Sequence, residues 1–244
     1  MNEAAAAGEE ALARGAGGAM LYDASCLGQS AESVFDPAHW LALGALETMR
    51  GGRGTVAFVR TTLGQHWVLR HYRRGGLMAR IADDLYFWTG EDRTRSFSEF
   101  RLLRQLCAWG LPVPQPVAAR YQRVGLVYRA DLLTVELPVR RTLAHALRET
   151  SLAPVAWEAI GRCVGDLHAH GVQHADLNAH NLLVGAANAV YVLDFDRGRI
   201  RARGAWEESV LARLKRSLVK VTAGLPRDRF GDEQWRALLS GVEG

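Results

Sequence analysis

The stretch HADLNAHNLLV, residues 174–184, has the residue types that a catalytic or metal-binding loop uses. Its polar side chains lie close together in the chain: His174, Asp176, His180 and Asn181. Asp194 follows 18 residues after Asp176, near the end of the apolar run AVYVLDFD. This pattern is compatible with a metal site, a catalytic loop or a polar turn before a buried strand.

Phosphoryl transfer requires these residue types. One carboxylate takes the proton of the attacking hydroxyl, and a second carboxylate with an amide oxygen holds Mg²⁺ against the nucleotide phosphates. Asp176 would be the base, and Asn181 and Asp194 would hold the metal. The alternative is that His174 and Asp176 pin a turn while Asp194 ends a strand. The joint spacing favours the catalytic interpretation.

A zinc site is disfavoured. The histidines of this region have spacings that match no closed ligand set, and no cysteine lies beside them: His168, His170, His174 and His180. His174 is instead expected to be a buried residue that braces the loop. The three cysteines of the chain are scattered without a CxxC pair, which argues against a disulfide framework and fits a reducing compartment.

The first half of the chain is predicted to be rich in β-structure. Two runs, 54–60 and 65–72, form a predicted hairpin around Gly64, and residues 116–123 and 126–137 are further strand candidates. Between these pairs, apolar residues at helical spacing predict a helix over 97–109.

After Pro138 the pattern becomes helical, in four segments: 141–149, 153–171, 206–222 and 232–240. The predicted fold class is therefore α+β, with a β-rich and a mainly helical lobe joined by a hinge near 136–140. The Ala/Gly-rich residues 1–20 are predicted to be a disordered tail. The two lobes would span 21–137 and 138–244.

Several motifs resemble a known family. LHAHGVQHADLNAHNLLV followed by VYVLDFD resembles the catalytic loop and metal-binding strand of the protein-kinase-like superfamily. Within it, HADLNAHN, LDFDRG and VLRHYRRGG resemble the kinases of 3-deoxy-D-manno-octulosonic acid (Kdo), which belong to the lipopolysaccharide-core kinases of Gram-negative bacteria. The resemblance covers roughly residues 20–240. It implies a protein-kinase-like two-lobe fold, ATP and Mg²⁺ as cofactors, and an anionic glycolipid acceptor, Kdo on a lipid A precursor, phosphorylated at its 4-hydroxyl.

The resemblance also assigns a nucleotide site. Gly52 and Gly54 would form the phosphate loop. Kinases place a lysine on the third strand, paired with a helix glutamate, but no lysine precedes Lys215 in this chain. Arg70 is the candidate substitute, because its guanidinium can fork onto phosphate and carboxylate oxygens. Its expected partner is Glu99, with Glu91 as the rival.

One further residue joins the nucleotide-binding set: Glu136, at the predicted hinge.

Two departures from protein kinases indicate a small-molecule kinase. Asn178 occupies the position where protein kinases carry a lysine, and Asp196 stands where the DFG motif has glycine. Asp196 would be a second metal ligand or would pair with an arginine such as Arg197, and the second possibility is favoured.

The chain has a net charge of +4, and apart from Lys215 and Lys220 its 30 basic residues are arginines. A GC-rich genome or an anionic partner would explain this excess. The clusters RHYRRGG and DRGRIRAR, residues 70–76 and 196–203, are candidates for binding the acceptor. Nucleic acid is not an expected partner, because the arginines are spread along the chain without a recognised binding fold.

No transmembrane span or secretory signal is apparent in the sequence. The basic, amphipathic segment 206–222 would either lie on an anionic bilayer or pack its apolar side into the lobe. We expect a cytoplasmic protein with at most peripheral attachment to the inner membrane. A heptose kinase, a small-molecule phosphotransferase and a non-catalytic pseudokinase are the alternative functions.

Overall fold

The computed structural model describes residues 8–28, 31–50, 56–73 and 84–244. Gly52 and Gly54 of the predicted phosphate loop lie outside the described residues. The chain divides into two compact units. The first comprises Met1–Ala108 and Pro114–Glu136, and the second comprises Trp109–Val113 and Leu137–Gly244. The sequence predicts that residues 109–113 belong to the first lobe, but they lie in the second unit. There, Val192 donates its backbone N–H to Pro112 O at 2.9 Å.

The described part of the first unit contains an antiparallel sheet. Its strands are β1 (Glu10–Gly15), β2 (Gly18–Asp23), β3 (Leu46–Arg50), β4 (Val56–Arg60), β5 (His66–His71), β6 (Tyr86–Phe87), β7 (Pro116–Val124) and β8 (Val127–Val135). The order of the strands in the sheet is β1-β2-β7-β8-β5-β4-β3. The short strand β6 pairs with the N-terminal end of β8. The predicted hairpin is present as β4 and β5.

The hairpin of β1 and β2 corrects one expectation. A disordered tail over residues 1–20 is wrong for residues 10–20, which pair in register and dock on β7. Ala19, Met20 and Leu21 are buried there. Gly18 lies so close to β7 that a Cβ at this position would come within 2.0 Å of the Tyr121 carbonyl oxygen. The small residues that suggested disorder therefore permit close strand packing.

Two layers cover the sheet. On one face, α1 (Ala24–Leu27), a 3₁₀ turn (Glu32–Phe35) and α2 (Pro37–Ala42) contribute to an apolar cluster with the sheet. On the other face, α3 (Arg95–Ala108) packs on β7 and β8 through Phe97, Phe100, Leu103 and Leu106. Because side chains alternate along a strand, Trp67 and Leu69 of β5 enter the apolar cluster, whereas Arg70 reaches α3.

The described part of the second unit is mainly helical. Its helices are α4 (Leu143–Glu149), α5 (Pro154–Ala169), α6 (Trp206–Thr222) and α7 (Asp232–Glu243). α5 and α7 pack so closely that a Cβ on Gly161 would lie 2.0 Å from Leu238 O, and a Cβ on Gly241 would lie 2.1 Å from Glu158 O. The helices together with the β-rich first unit confirm the predicted α+β, two-lobe class.

Short strand pairs hold the loops of the second unit. β10 (Leu182–Val184) pairs with β11 (Val190–Val192), and β9 (Val172–Gln173) pairs with β12 (Arg199–Ile200). The predicted strand AVYVLDFD is thus only three residues long. It ends before Asp194 because the backbone turns there.

Candidate active site

The loop that follows β9 is anchored by His174. This side chain is 2% exposed, and its ring packs against Phe195 with centroids 4.9 Å apart. Nδ1 accepts the backbone N–H of Asp176 at 3.1 Å, and Nε2 donates to Leu193 O at 2.9 Å. Burial lowers the pKa of His174, which favours the neutral ring that these two bonds require. The predicted bracing role of His174 is confirmed.

The loop closes on the main chain of Asp176. Its carbonyl oxygen accepts Nδ2 of Asn178 at 2.8 Å and Nδ2 of Asn181 at 3.0 Å. Asn178 also accepts the backbone N–H of His180 at 2.8 Å. The asparagine at the position of the protein-kinase lysine therefore shapes the loop. Because Asn181 donates through Nδ2, its Oδ1 is the atom left to serve as a metal ligand.

Asp194 is connected to the same loop through its neighbour. Leu193 donates its N–H to Asn181 O at 2.8 Å, and its carbonyl accepts from His174. Asp194 itself adopts a left-handed backbone with φ of 62°. Such conformations are uncommon for residues other than glycine and cluster at functional sites. One hydrogen-bonded assembly thus contains Asp176, Asn181 and Asp194, although Asp176 and Asp194 are 18 residues apart in the chain.

A residue that sequence reasoning did not single out reaches the carboxylate of Asp176. Arg213 of α6 donates through Nε at 2.7 Å, and through a shorter contact from Nη2, to the same oxygen, Oδ1. One helical turn further, Ser217 Oγ accepts the N–H of Ala179 at 3.1 Å. In the sequence, only the four-residue spacing of these two polar side chains indicated that they lie on the same side of a predicted helix.

The other histidines do not form a ligand group with His174. His170 Nδ1 contacts Asp166 O at 2.8 Å and its ring lies on Trp109, whereas His168 packs edge-on against Trp206. The loop is thus organised by hydrogen bonds to its main chain.

In the first unit, the predicted pair of Arg70 and Glu99 is present. Glu99 is 3% exposed on α3, and its Oε2 accepts bonds from Arg70 Nη2 and from the Tyr72 hydroxyl. The Arg70 guanidinium also lies 4.6 Å from the centre of the Tyr72 ring. Tyr72 was not foreseen, although a position two residues along a strand shares its face.

The remaining candidates lie elsewhere in the first unit. Glu91, the rival of Glu99, bonds Arg14 and Tyr121, each at 2.8 Å. Glu136 lies at the opposite end of β5 from Arg70. Its N–H donates to His66 O, and its carboxylate is 3.8 Å from His66 Nδ1. About four residues of strand, roughly 13 Å, separate it from Arg70, so these two nucleotide-binding candidates do not contact each other.

A known protein family matches most of the chain. The model of the lipopolysaccharide kinase (Kdo/WaaP) family matches residues 41–241. The chain belongs to this family.

Similar proteins include a 3-deoxy-D-manno-octulosonic acid kinase of Stenotrophomonas maltophilia, 48% identical over 84% of this chain and 81% of the relative. Proteins of the same name from Xylella fastidiosa and from Xanthomonas campestris pv. campestris are 46% and 47% identical, over 84% and 86% of this chain and 81% and 84% of the relatives.

Membership of the lipopolysaccharide kinase family makes the chain a phosphotransferase with an alcohol group as acceptor. Within the described ranges, no helix has the length and apolar character needed to cross a membrane.

Proposed function

We propose that this lipopolysaccharide kinase transfers the γ-phosphoryl group of ATP to the 4-hydroxyl of Kdo on a Kdo-bearing lipid A precursor. The observation that carries the proposal is the linked assembly of Asp176, Asn181 and Asp194, which supplies a base and two oxygen ligands in one loop system. The names of the similar proteins supply the sugar.

Asp176 would act as the general base. Arg213 occupies Oδ1, and no described residue bonds Oδ2. The carboxylate is about half exposed, at 55% of its side-chain surface, so a sugar hydroxyl can reach it. The hydroxyl proton passes to Oδ2, the sugar oxygen forms a bond to the γ-phosphorus, and the bond from that phosphorus to the β-bridging oxygen breaks to release ADP.

Mg²⁺ fits the residues that would hold it. Asn181 Oδ1 and the Asp194 carboxylate are hard oxygen donors, which Mg²⁺ prefers together with water and phosphate oxygens. When bound, the ion neutralises charge on the phosphates. The protein contributes the orientation of Asn181, whose Nδ2 is tied to Asp176 O, and the position of Asp194 after Leu193. Whether Asp196 is a further ligand or an arginine partner stays a prediction with two alternatives.

Arg70 would take the role of the missing lysine on the nucleotide phosphates. Its pairing with Glu99 gives the guanidinium a fixed orientation, and its side chain keeps 24% exposure. A guanidinium offers several N–H groups, so a phosphate and a carboxylate can be bound together. Gly52, Gly54 and Glu136 complete the proposed nucleotide-binding set.

A cytoplasmic location with peripheral contact to the inner membrane follows from the lipid acceptor.

The test is transfer of phosphate from ATP to purified Kdo-lipid IV-A, followed by mass spectrometry of the lipid. The wild-type protein should add one phosphate to Kdo, and Asp176→Asn should lower kcat by about a hundred- to ten-thousandfold because the base is lost. Asp228→Asn, an exposed aspartate of the same unit, is the matched control and should keep wild-type turnover. A wild-type protein that adds no phosphate to Kdo, or undiminished turnover by Asp176→Asn, would contradict the proposal.

A further inference from the structure

The contact of Arg213 with Asp176 has an unusual form for a structural ion pair. Both N–H donors go to one oxygen, and both side chains are largely exposed, with 47% of Arg213 and 55% of Asp176 accessible. Exposed pairs contribute little to folding stability. A cation placed on the base of a phosphotransferase therefore calls for an explanation in the reaction.

The position of Arg213 is set by the helix that carries it. Val210, Leu214 and Leu218 bury the apolar side of α6 in the second unit. Ser217, one turn after Arg213, bonds the backbone of the catalytic loop at Ala179. The guanidinium is thus held beside Asp176, while N–H groups beyond the two that are used can bind another anion.

We propose that Arg213 binds the carboxylate of the acceptor sugar. This inference rests on the proposed function and names the feature by which the site recognises an acidic sugar. In Kdo the carboxylate stands on the anomeric carbon, two ring carbons from the carbon that bears the 4-hydroxyl. A sugar that presents this hydroxyl to Asp176 brings its carboxylate within a few ångströms, where the neighbouring guanidinium can bind it in a forked, charge-assisted contact.

The surroundings on α6 extend the same positive charge. Arg216 and Lys220 follow Arg213 at intervals of three and seven residues, so they share its side of the helix, and both are exposed. Such a row suits an acceptor that carries further anionic groups beside its carboxylate. A neutral sugar such as heptose offers Arg213 no anion to bind.

The experiment combines a change in the protein with a change in the acceptor, in the manner of a double-mutant cycle. Wild type and Arg213→Gln are assayed with Kdo-lipid IV-A and with its analogue in which the Kdo carboxylate is converted to a neutral carboxamide. The wild type should prefer the carboxylate by about 10- to 100-fold in kcat/KM. Arg213→Gln should lose this preference through a higher KM for the acid acceptor, with the KM for ATP unchanged.

Two variants complete the design. Arg213→Lys keeps a charge without the fork and should retain part of the preference, whereas Arg162→Gln, an exposed helical arginine of the same unit, should retain all of it. An equal loss on both acceptors in Arg213→Gln would show that Arg213 acts only on Asp176 and would overturn the inference alone. A wild-type protein that transfers no phosphate to Kdo would overturn the proposed function and the inference together.

Discussion

The loop that carries Asp176 depends on His174 in its neutral form. A neutral imidazole has one donor and one acceptor nitrogen, and His174 uses them on Leu193 O and the N–H of Asp176. A protonated ring could not accept from Asp176. Burial lowers the pKa of His174 and so protects this arrangement. The residue that first suggested a metal site instead joins Leu193, which precedes Asp194, to the backbone of Asp176.

Arg70 and Glu99 form an ion pair within the first unit. Glu99 is buried on α3 and accepts from both Arg70 and Tyr72. A buried carboxylate is stable only when its oxygens are paired and hydrogen-bonded. The pair thus has a structural function in the first unit in addition to its proposed contact with nucleotide phosphates.

We expect the two side chains to be energetically coupled. Arg70→Gln should lower the free energy of unfolding by about 2 kcal/mol, because the buried carboxylate of Glu99 loses a charged hydrogen-bond partner. The loss of stability in the double variant Arg70→Gln/Glu99→Gln should be smaller than the sum of the two single losses. The difference should be at least about 1 kcal/mol. Urea unfolding measures all three variants. Arg14→Gln, which removes the exposed partner of Glu91, is the control and should cost less than about 1 kcal/mol. Additive losses would show that the two residues act independently.

The elements differ in how well the sequence predicted them. Helices with a regular apolar face were predicted to within three residues of their observed bounds: the prediction for α3 is 97–109, and the helix spans Arg95–Ala108. The hairpin of β1 and β2 was not predicted, because its stability comes from pairing with β7, more than 90 residues away in the chain. Local composition does not record such a partner, and the Ala/Gly-rich segment therefore indicated disorder.

The close packing of α5 and α7 is another feature without a local signal. Gly161 and Gly241 carry no side chain where each helix meets the backbone of the other. From sequence alone a glycine within a helix is only a small loss of helix propensity. The structure gives the reason for each glycine, because a carbonyl group of the other helix lies where a Cβ would be.

This interface predicts the effect of a single methyl group. Gly161→Ala places a Cβ 2.0 Å from Leu238 O, so α7 has to move, and we expect a loss of about 1–3 kcal/mol in the free energy of unfolding. Gly204→Ala is the matched control, since nothing lies within 4 Å of its added Cβ. Thermal and urea unfolding compare the two variants. Equal stabilities would mean that α5 and α7 are not held at this distance.

At the scale of the whole molecule, the sequence predicted the α+β class and drew attention to the loop of Asp176 and Asn181, but it did not predict the contact of Arg213 with Asp176. Asp176, Asn181 and Asp194 are ordered by short-range loop bonds and one strand pairing. Arg213 comes from a helix 37 residues further along the chain, and its contact with Asp176 depends on how α6 packs. The arginines named from the clusters at 70–76 and 196–203 include several with protein partners, such as Arg70 with Glu99 and Arg203 with Glu207. The arginine that contacts Asp176 lies outside both clusters, and acceptor binding by the clusters stays a prediction.

The charge of the molecule leads to a prediction about membranes. The chain carries +4, and basic residues such as Arg199, Arg216 and Lys220 are exposed. Each basic residue near an anionic surface contributes about 1 kcal/mol, and salt screens this attraction. The full chain should therefore sediment with phosphatidylglycerol-containing vesicles at about 0.05 M salt and largely dissociate at about 0.5 M. It should remain in solution with phosphatidylcholine vesicles under both conditions. Equal binding to both lipids, or binding that salt leaves unchanged, would show that an apolar contact and not charge holds the protein at the membrane.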